Sequence, residues 1–313
     1  MGERVIAVVG PTAAGKSGLA VELALALGGE VINADSMQVY RGMDIGTAKL
    51  TPAERRGVPH HLLDVWDIRQ PANVADYQRL ARRAIADVTA RGQVPILAGG
   101  SGLYVRGALE DLTFPGTDPA VRARLESELA RDGAAALHTR LAGLDPAAAK
   151  AILPSNGRRI VRALEVIELT GRPFTATLPS YTADYAASHP AVQLGLRPAR
   201  DELDRRIDTR VDQMWAAGFE DEVRRLEQAG LREGRTASRA LGYQQMLRYL
   251  AGDWTSDQAR QETARGTRRF ARRQESWFRR DPRITWLDVP GPDLTERALE
   301  VVGALAHSPP AGR

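Results

Sequence analysis

Residues 4–29 read RVIAVVGPTAAGKSGLAVELALALGG, and their order decides the fold. RVIAVVG is a short β-branched apolar run closed by glycine, the pattern of a strand buried on both faces of a parallel sheet. SGLAVELALALGG then places Leu19, Leu23 and Leu27 on helical spacing, with Gly28-Gly29 as a stop signal. Between the two, Gly10, Pro11, Thr12, Ala13, Ala14, Gly15, Lys16 and Ser17 satisfy G-x-x-x-x-G-K-[ST] in the setting that pattern requires, after a strand and before a helix. Glycines let successive backbone N–H groups curl into one concavity, the helix N-terminus adds the positive end of its dipole, Lys16 adds a point charge, and the Ser17 hydroxyl can ligate Mg²⁺. Such a nest holds a di- or triphosphate. The bland alternative is a flexible glycine turn, but Lys16 is one of only three lysines in the chain and sits where the motif needs it.

Outward from this stretch the alternation continues. EVINAD at 30–35 and VPILAGG at 94–100 read as further short strands, with a helix over 74–91 between them. The pattern changes after Leu112, where TFPGTDP breaks the chain and amphipathic helices are predicted over 121–131, 134–141 and 158–170 with no strand between them. AVQLGLRP at 191–198 restores a strand, 200–228 is predicted helical around Leu203, Ile207 and Val211, and RITWLDV at 283–289 is a late strand. The expectation is an α/β fold: a P-loop NTPase-like parallel sheet core built from 1–112 and 191–313, with an all-helical insertion at 113–190. The closing HSPPAGR reads as a frayed tail.

A chain of 313 residues suits about two domains. With no cysteine, disulfide frameworks, thiolate metal sites and cysteine nucleophiles are excluded. No apolar run approaches the roughly 20 residues of a membrane span, and the opening run is too short for a signal peptide, so a cytoplasmic protein is expected. No coiled-coil seam appears, and a monomer is expected. Net charge is only +4, but residues 265–280 hold seven arginines against the single acid Glu275. That concentration suits a polyanion, because phosphate contacts dominate nucleic-acid affinity and arginine binds phosphate in bidentate fashion. Trp277 and Phe278 lie inside it, either as stacking platforms for unpaired bases or as the core side of an amphipathic helix.

Asp35 follows the second strand directly, so a parallel sheet delivers it to the carboxyl end beside the phosphate loop, where ligands of open α/β sheets bind. It could serve a metal or a substrate, or simply cap a turn. Ser36, Gln38 and Tyr40 add donors, acceptors and an aromatic face suited to a base. The strand at 94–100 ends in small residues rather than the acid a hydrolysing P-loop enzyme usually carries there, so the loop could hold a leaving group without hydrolysing a nucleotide.

GPTAAGKS at 10–17, DSMQVYRGMDIGTAK at 35–49, GGSGLY at 99–104 and ALGYQQM at 240–246 resemble the tRNA dimethylallyltransferase family, as do NGRRIVRALEV at 156–166, RIDTRVDQMWAAGFEDEV at 206–223 and RRQESWFRR at 272–280. One departure is Ser101, where the family usually has threonine; it keeps the hydroxyl and loses a methyl. The resemblance implies transfer of a dimethylallyl group from dimethylallyl diphosphate to the exocyclic amine of the adenosine following the anticodon, with Mg²⁺ present. It makes residues 10–17 the diphosphate site, Asp35 the general base, and Ser101 and Arg210 further catalytic contacts. It places tRNA contacts at Asp35, Ser36, Met37, Gln38, Ser101 and Arg122. It adds Arg158, Arg159, Ile160, Val161 and Arg162, then Arg239, Ala240, Leu241, Gly242, Tyr243 and Gln244. It ends with Arg272, Arg273, Gln274, Glu275, Ser276, Trp277, Phe278 and Arg279. Without the resemblance, Arg210 would read as a solvated helix face beside Arg206, and Ser101 as a turn residue. The main rival is a small-molecule or nucleotide kinase, which would leave the basic segment without a purpose. A non-enzymatic RNA-binding module would not explain the phosphate loop beside Asp35, and an enzyme prenylating a free nucleotide would not need so long a basic region.

Overall fold

The structure is a computed structural model that describes residues 4–177, 189–291 and 293–306; the predicted tail at 307–313 lies outside the described residues. The chain forms two compact units, Met1–Asp111 with Tyr185–Arg313, and Leu112–Asp184.

The first unit opens with β1 (Val5–Val9), α1 (Lys16–Leu27), β2 (Gly29–Asn33), the two-residue β3 (His60–His61), α2 (Val74–Ala90), β4 (Val94–Gly99) and α3 (Gly102–Leu109). The second unit contains α4 (Pro119–Leu144), α5 (Pro146–Ala151) and α6 (Gly157–Thr170). The first unit resumes with β5 (Ala191–Pro198), α7 (Arg200–Ala216), α8 (Phe219–Gln228), α9 (Tyr243–Leu250), α10 (Ser256–Phe278), β6 (Ile284–Val289) and α11 (Leu294–Ala306).

All six strands are parallel, in the order β3-β2-β4-β1-β5-β6. The alternation of β1 explains the layers: Val5, Ala7 and Val9 face one apolar cluster, which includes Ile32, Tyr77 and Leu97, while Ile6 and Val8 face another, which includes Leu19, Leu23 and Leu194. A sheet covered on both faces needs strands apolar at every position, which is what VIAVV supplies. The register sets Val9 beside Gly99 and Asn33 beside Ala98, so the segments after β1, β2 and β4 emerge at one end of the sheet.

Helix boundaries follow local chemistry. Helix α2 starts where the Asn73 side chain accepts from Asp76 N–H, a cap worth about 1 kcal/mol. It buries Tyr77, Ala81, Ile85 and Val88 at helical spacing. The predicted helix at 200–228 is two helices, because Gly218 adopts a left-handed φ of 88° between α7 and α8. The predicted helices at 121–131 and 134–141 are one element, α4, interrupted at Gly133, whose φ of 81° and ψ of 165° are not helical. Helix α5 and strand β3 were not expected; six and two residues are too short for a periodic pattern to show.

The helical unit has its own core of Leu125, Leu137, Leu141, Ile160, Val161 and Leu164. Glu165 is fully buried beneath it and takes ion pairs from Arg122 and Arg162. Removing either arginine would strip a partner from a buried carboxylate, which is far more costly than the pair is stabilising.

Candidate active site and nucleic-acid interface

The phosphate loop is held in a conformation few sequences accept. Gly10 (φ 136°) and Gly15 (φ 96°) lie in the left-handed region, and so does Ala13 (φ 63°), a strained position for a residue with a Cβ. The N–H groups of Gly15, Lys16 and Ser17 open the first turn of α1 and make no backbone hydrogen bond among the described residues, so they remain free for an anion.

Lys16 is half-buried as a residue, yet its ammonium is sunk in the loop and donates to the Pro11 carbonyl at 2.7 Å. Burial lowers its pKa from 10.5 to about 8, with the Asp35 carboxylate pulling it up and Arg210 pushing it down. Arg210, on α7, donates from Nη1 to Thr12 Oγ1 at 3.4 Å and has no carboxylate partner among the described residues. Burial lowers its pKa as well, although a guanidinium keeps its proton. Two desolvated cations therefore bear on one loop with no ion pair to neutralise either. That costs free energy in the folded state and is recovered when a multiply charged anion binds.

Asp35 stands after β2 in an Asx turn: its Oδ1 accepts from Met37 N–H at 2.8 Å, and its own N–H donates to Asn33 Oδ1 at 3.0 Å. Its second carboxylate oxygen has no partner among the described residues and is available to a substrate. The Asn33 carbonyl is fixed by the Tyr77 hydroxyl at 2.9 Å, and Tyr77 stacks on Tyr104 with ring centroids 4.1 Å apart. Ser101, at the start of α3, accepts from Ser36 N–H at 3.0 Å and donates to Ser36 Oγ at 3.1 Å, tying the β4 end to the segment that carries Asp35. The hydroxyl retained at this position makes both contacts; nothing in them requires the missing methyl.

The remaining predicted residues divide sharply by burial. Arg158, Arg159, Arg239, Gln244, Arg272, Arg273, Ser276 and Arg279 are exposed, and Ser36, Met37, Gln38, Leu241, Glu275 and Trp277 are half-buried. Gln38 donates to the Thr47 carbonyl at 3.0 Å, which ties the two ends of residues 38–47 together. Others are buried or already engaged within the protein. Ile160 and Val161 belong to the helical core, and Arg122 and Arg162 are committed to Glu165. Ala240, Gly242, Tyr243 and Phe278 are buried in the first unit.

Two buried residues were not anticipated in the roles they play. Glu222, on α8, accepts from Asp44 N–H (3.1 Å), Ile45 N–H (2.7 Å), Gly46 N–H (3.2 Å) and the Tyr243 hydroxyl (2.6 Å), so it anchors the loop after Tyr40. Gln274, on α10, accepts from Thr12 N–H at 2.8 Å and donates to the Gly100 carbonyl at 2.9 Å. The spacing of Ala271, Gln274 and Phe278 along one helix face was the available signal for Gln274, and for Glu222 it was an acid set beside Phe219, Val223 and Leu226 on the buried face of α8.

The outer face of α10 carries the arginines. Arg272 pairs with Asp204 at 3.3 Å and Arg279 with Glu275 at 2.6 Å, and Arg268 pairs with Asp208. Arg197, Arg200, Arg268, Arg272 and Arg279 line a cavity of about 610 Å³ with Asp204, Glu275 and Asp288 among its walls. Exposed ion pairs of this kind are worth about 0–1 kcal/mol each, so phosphates can displace the acids at little cost. Among the described residues no group of three or more His, Cys, Asp or Glu side chains could hold a metal by itself, and no helix is long and apolar enough to cross a membrane.

With its cations gathered at the end of the central strand and a carboxylate two strands away, the chain falls in the phosphate-loop α/β class. Residues 38–281 match the family model described as IPP transferase. The chain is 68% identical over 303 residues to a tRNA dimethylallyltransferase of Thermobifida fusca, covering 95% of this chain and 94% of that one. It is 69% identical over 293 residues to the enzyme of the same name from Streptomyces avermitilis, covering 94% and 93%. The crystal structure of a full-length tRNA isopentenylpyrophosphate transferase from Bacillus halodurans superposes with a TM-score of 0.71 at 42% identity, over 97% of this chain and 96% of that one. A eukaryotic dimethylallyltransferase captured acting on tRNA superposes with a TM-score of 0.82 at 26% identity, over 99% and 81%. The chain belongs to the IPP transferase family, whose members named here are tRNA dimethylallyltransferases, and it is a prenyl-transferring enzyme. The family model's match begins at Gln38, after the phosphate loop and Asp35.

Proposed function

We propose that this chain transfers the dimethylallyl group of dimethylallyl diphosphate to the exocyclic N6 amine of the adenosine 3′-adjacent to the anticodon of tRNA, releasing diphosphate. The observation that carries the reading is the pair of partly buried cations, Lys16 and Arg210, neither in an ion pair among the described residues, at a loop that leaves the N–H groups of Gly15, Lys16 and Ser17 without a backbone partner. The names and activities of the relatives, together with the exposed arginines, support tRNA as the acceptor.

In the reaction the N6 lone pair attacks the allylic carbon, the bond from that carbon to the diphosphate oxygen breaks, and the N6 proton passes to the free oxygen of Asp35. Adenine's amine is a poor nucleophile until a carboxylate accepts its proton, and the Asx turn leaves Asp35 one oxygen for the task. Charge growing on the leaving diphosphate meets Lys16, Arg210 and the loop amides, donors fixed in place before the reaction. Mg²⁺ fits as cofactor. Among the described residues there are hard oxygen donors but no dedicated carboxylate cage, and the Ser17 hydroxyl, beside Lys16, has no hydrogen-bond partner. That is the donor set of an ion held largely by substrate phosphates; when bound, it supplies further charge neutralisation at the diphosphate. An adenine stacked in a tRNA loop reaches Asp35 only by leaving its stack, so base flipping accompanies binding. Arg272 and Arg273 on α10, Arg279 just past its end, and Arg158 and Arg159 of the helical unit contact tRNA phosphates. The enzyme acts in the cytoplasm as a monomer.

The test is incubation with unmodified tRNA, labelled dimethylallyl diphosphate and Mg²⁺, followed by digestion to nucleosides. Labelled N6-dimethylallyladenosine is expected, with negligible transfer to AMP and no phosphoryl transfer from ATP. Equal transfer to AMP would indicate a free-nucleotide enzyme, and ATP-dependent phosphorylation would indicate a kinase.

A further inference from the structure

The strings that point to RNA include Gln274, yet this residue is only 5% exposed and lies on the buried side of its own helix. Both ends of its amide are used, and each end grips a different loop. The oxygen accepts from Thr12 N–H inside the phosphate loop, and the nitrogen donates to the carbonyl of Gly100. Gly100 precedes Ser101, whose hydroxyl holds the Ser36 amide next to Asp35. A Cβ at position 100 would overlap Gln274 Nε2, so the glycine and the amide form a matched pair. Thr12 is held from its other side by Arg210.

We propose that Gln274 is a positioning residue for the donor site, setting the phosphate loop at a fixed distance from the loop that organises Asp35. The proposal rests on the reading of residues 10–17 as the diphosphate site. The physical ground is specific to an amide. Of side chains this length, only glutamine both accepts from one backbone group and donates to another; a carboxylate would turn an acceptor toward the Gly100 carbonyl, and a hydrocarbon would leave Thr12 N–H and the Gly100 carbonyl unsatisfied in a buried place. A loop that must hold Ala13 in a left-handed conformation needs such an external tie to keep its shape.

The experiment compares Gln274→Leu and Gln274→Glu with wild type in the full chain, reading affinity for inorganic pyrophosphate in Mg²⁺, KM for donor, KM for tRNA, and melting temperature. Both variants are expected to weaken pyrophosphate and raise donor KM by about tenfold, the scale of a lost buried hydrogen bond, while tRNA KM stays within about twofold. Gln274→Glu matches the original in size, so if Gln274→Leu fails to fold the isosteric variant still decides. Wild-type pyrophosphate affinity in Gln274→Glu would overturn the proposal, and so would a loss of tRNA affinity equal to the loss of donor affinity, which would make Gln274 an RNA contact. Lys16→Ala serves as the control. If it also leaves pyrophosphate binding intact, the diphosphate reading of the loop has failed; if it abolishes binding while both Gln274 variants bind normally, only the positioning role has failed.

Discussion

The phosphate loop and the outer face of α10 both gather positive charge, but they hold it in opposite ways. At the loop two partly buried cations, Lys16 and Arg210, form no ion pair among the described residues. Around α10 most of the arginines are solvated, and several lean on exposed or half-buried acids. A charge in low dielectric acts strongly over a short range on one small ligand, whereas exposed charges act weakly, additively and at the mercy of salt. The first arrangement suits a diphosphate that must leave with its charge stabilised. The second suits a long polyanion that must be held and released.

The largest effect is expected at Asp35. Asp35→Asn keeps size and removes the proton acceptor, so single-turnover prenylation should slow by about 10²–10⁴-fold with donor affinity nearly unchanged. Measuring rate and donor affinity across a Mg²⁺ series sharpens this. Recovery of the rate at high Mg²⁺ would make Asp35 a metal ligand instead.

A second effect follows from the depressed pKa of Lys16. The free enzyme loses this charge as pH rises through about 8, so kcat/KM for the donor and affinity for pyrophosphate should fall above that point. A bound diphosphate favours the protonated form, so the break in kcat should lie higher. The same shift has a stability consequence of definite sign. Because the folded pKa of about 8 lies below the unfolded value of 10.5, the unfolded chain holds this proton more tightly between those values, and stability from this group rises with pH across the window. Lys16→Met should accordingly melt above wild type at pH 7, with the advantage shrinking as pH approaches 10.5. A variant that melts below wild type at pH 7 would show that the ammonium is not under strain.

The smallest effect belongs to the exposed face. Neutralising Arg272 and Arg273 should weaken different tRNAs about equally and reduce the slope of log affinity against log salt by about one for each phosphate left without its arginine. An unchanged slope would leave this face as an ordinary solvated surface.

The same contrast governs what the sequence reveals. A phosphate loop is legible because its chemistry is contiguous: glycines, lysine and hydroxyl act where they stand in the chain. The parallel sheet is legible because doubly covered strands are apolar throughout. An interface on a helix is different, since a string such as RRQESWFRR contains both faces at once. Gln274 and Phe278 turn inward with Ala271, and Arg272, Arg273 and Arg279 turn outward, a division that only the helical period separates. Ile160 and Val161 between Arg159 and Arg162 repeat the lesson in the helical unit. Glu222 lay further out of reach, because its partners are backbone amides more than 170 residues away in sequence.

The measurement that bears most directly on the division of labour between loop and helix is a crossed binding experiment, with Lys16→Ala and the Arg272→Ala/Arg273→Ala pair each assayed against pyrophosphate and against tRNA at one ionic strength. Lys16→Ala should weaken pyrophosphate by about tenfold or more, the scale of a charge-assisted hydrogen bond, and leave tRNA affinity unchanged, while the arginine pair should do the reverse. If either variant weakened both ligands in equal proportion, the two cationic regions would be one site, and the separation of donor and tRNA binding would be contradicted.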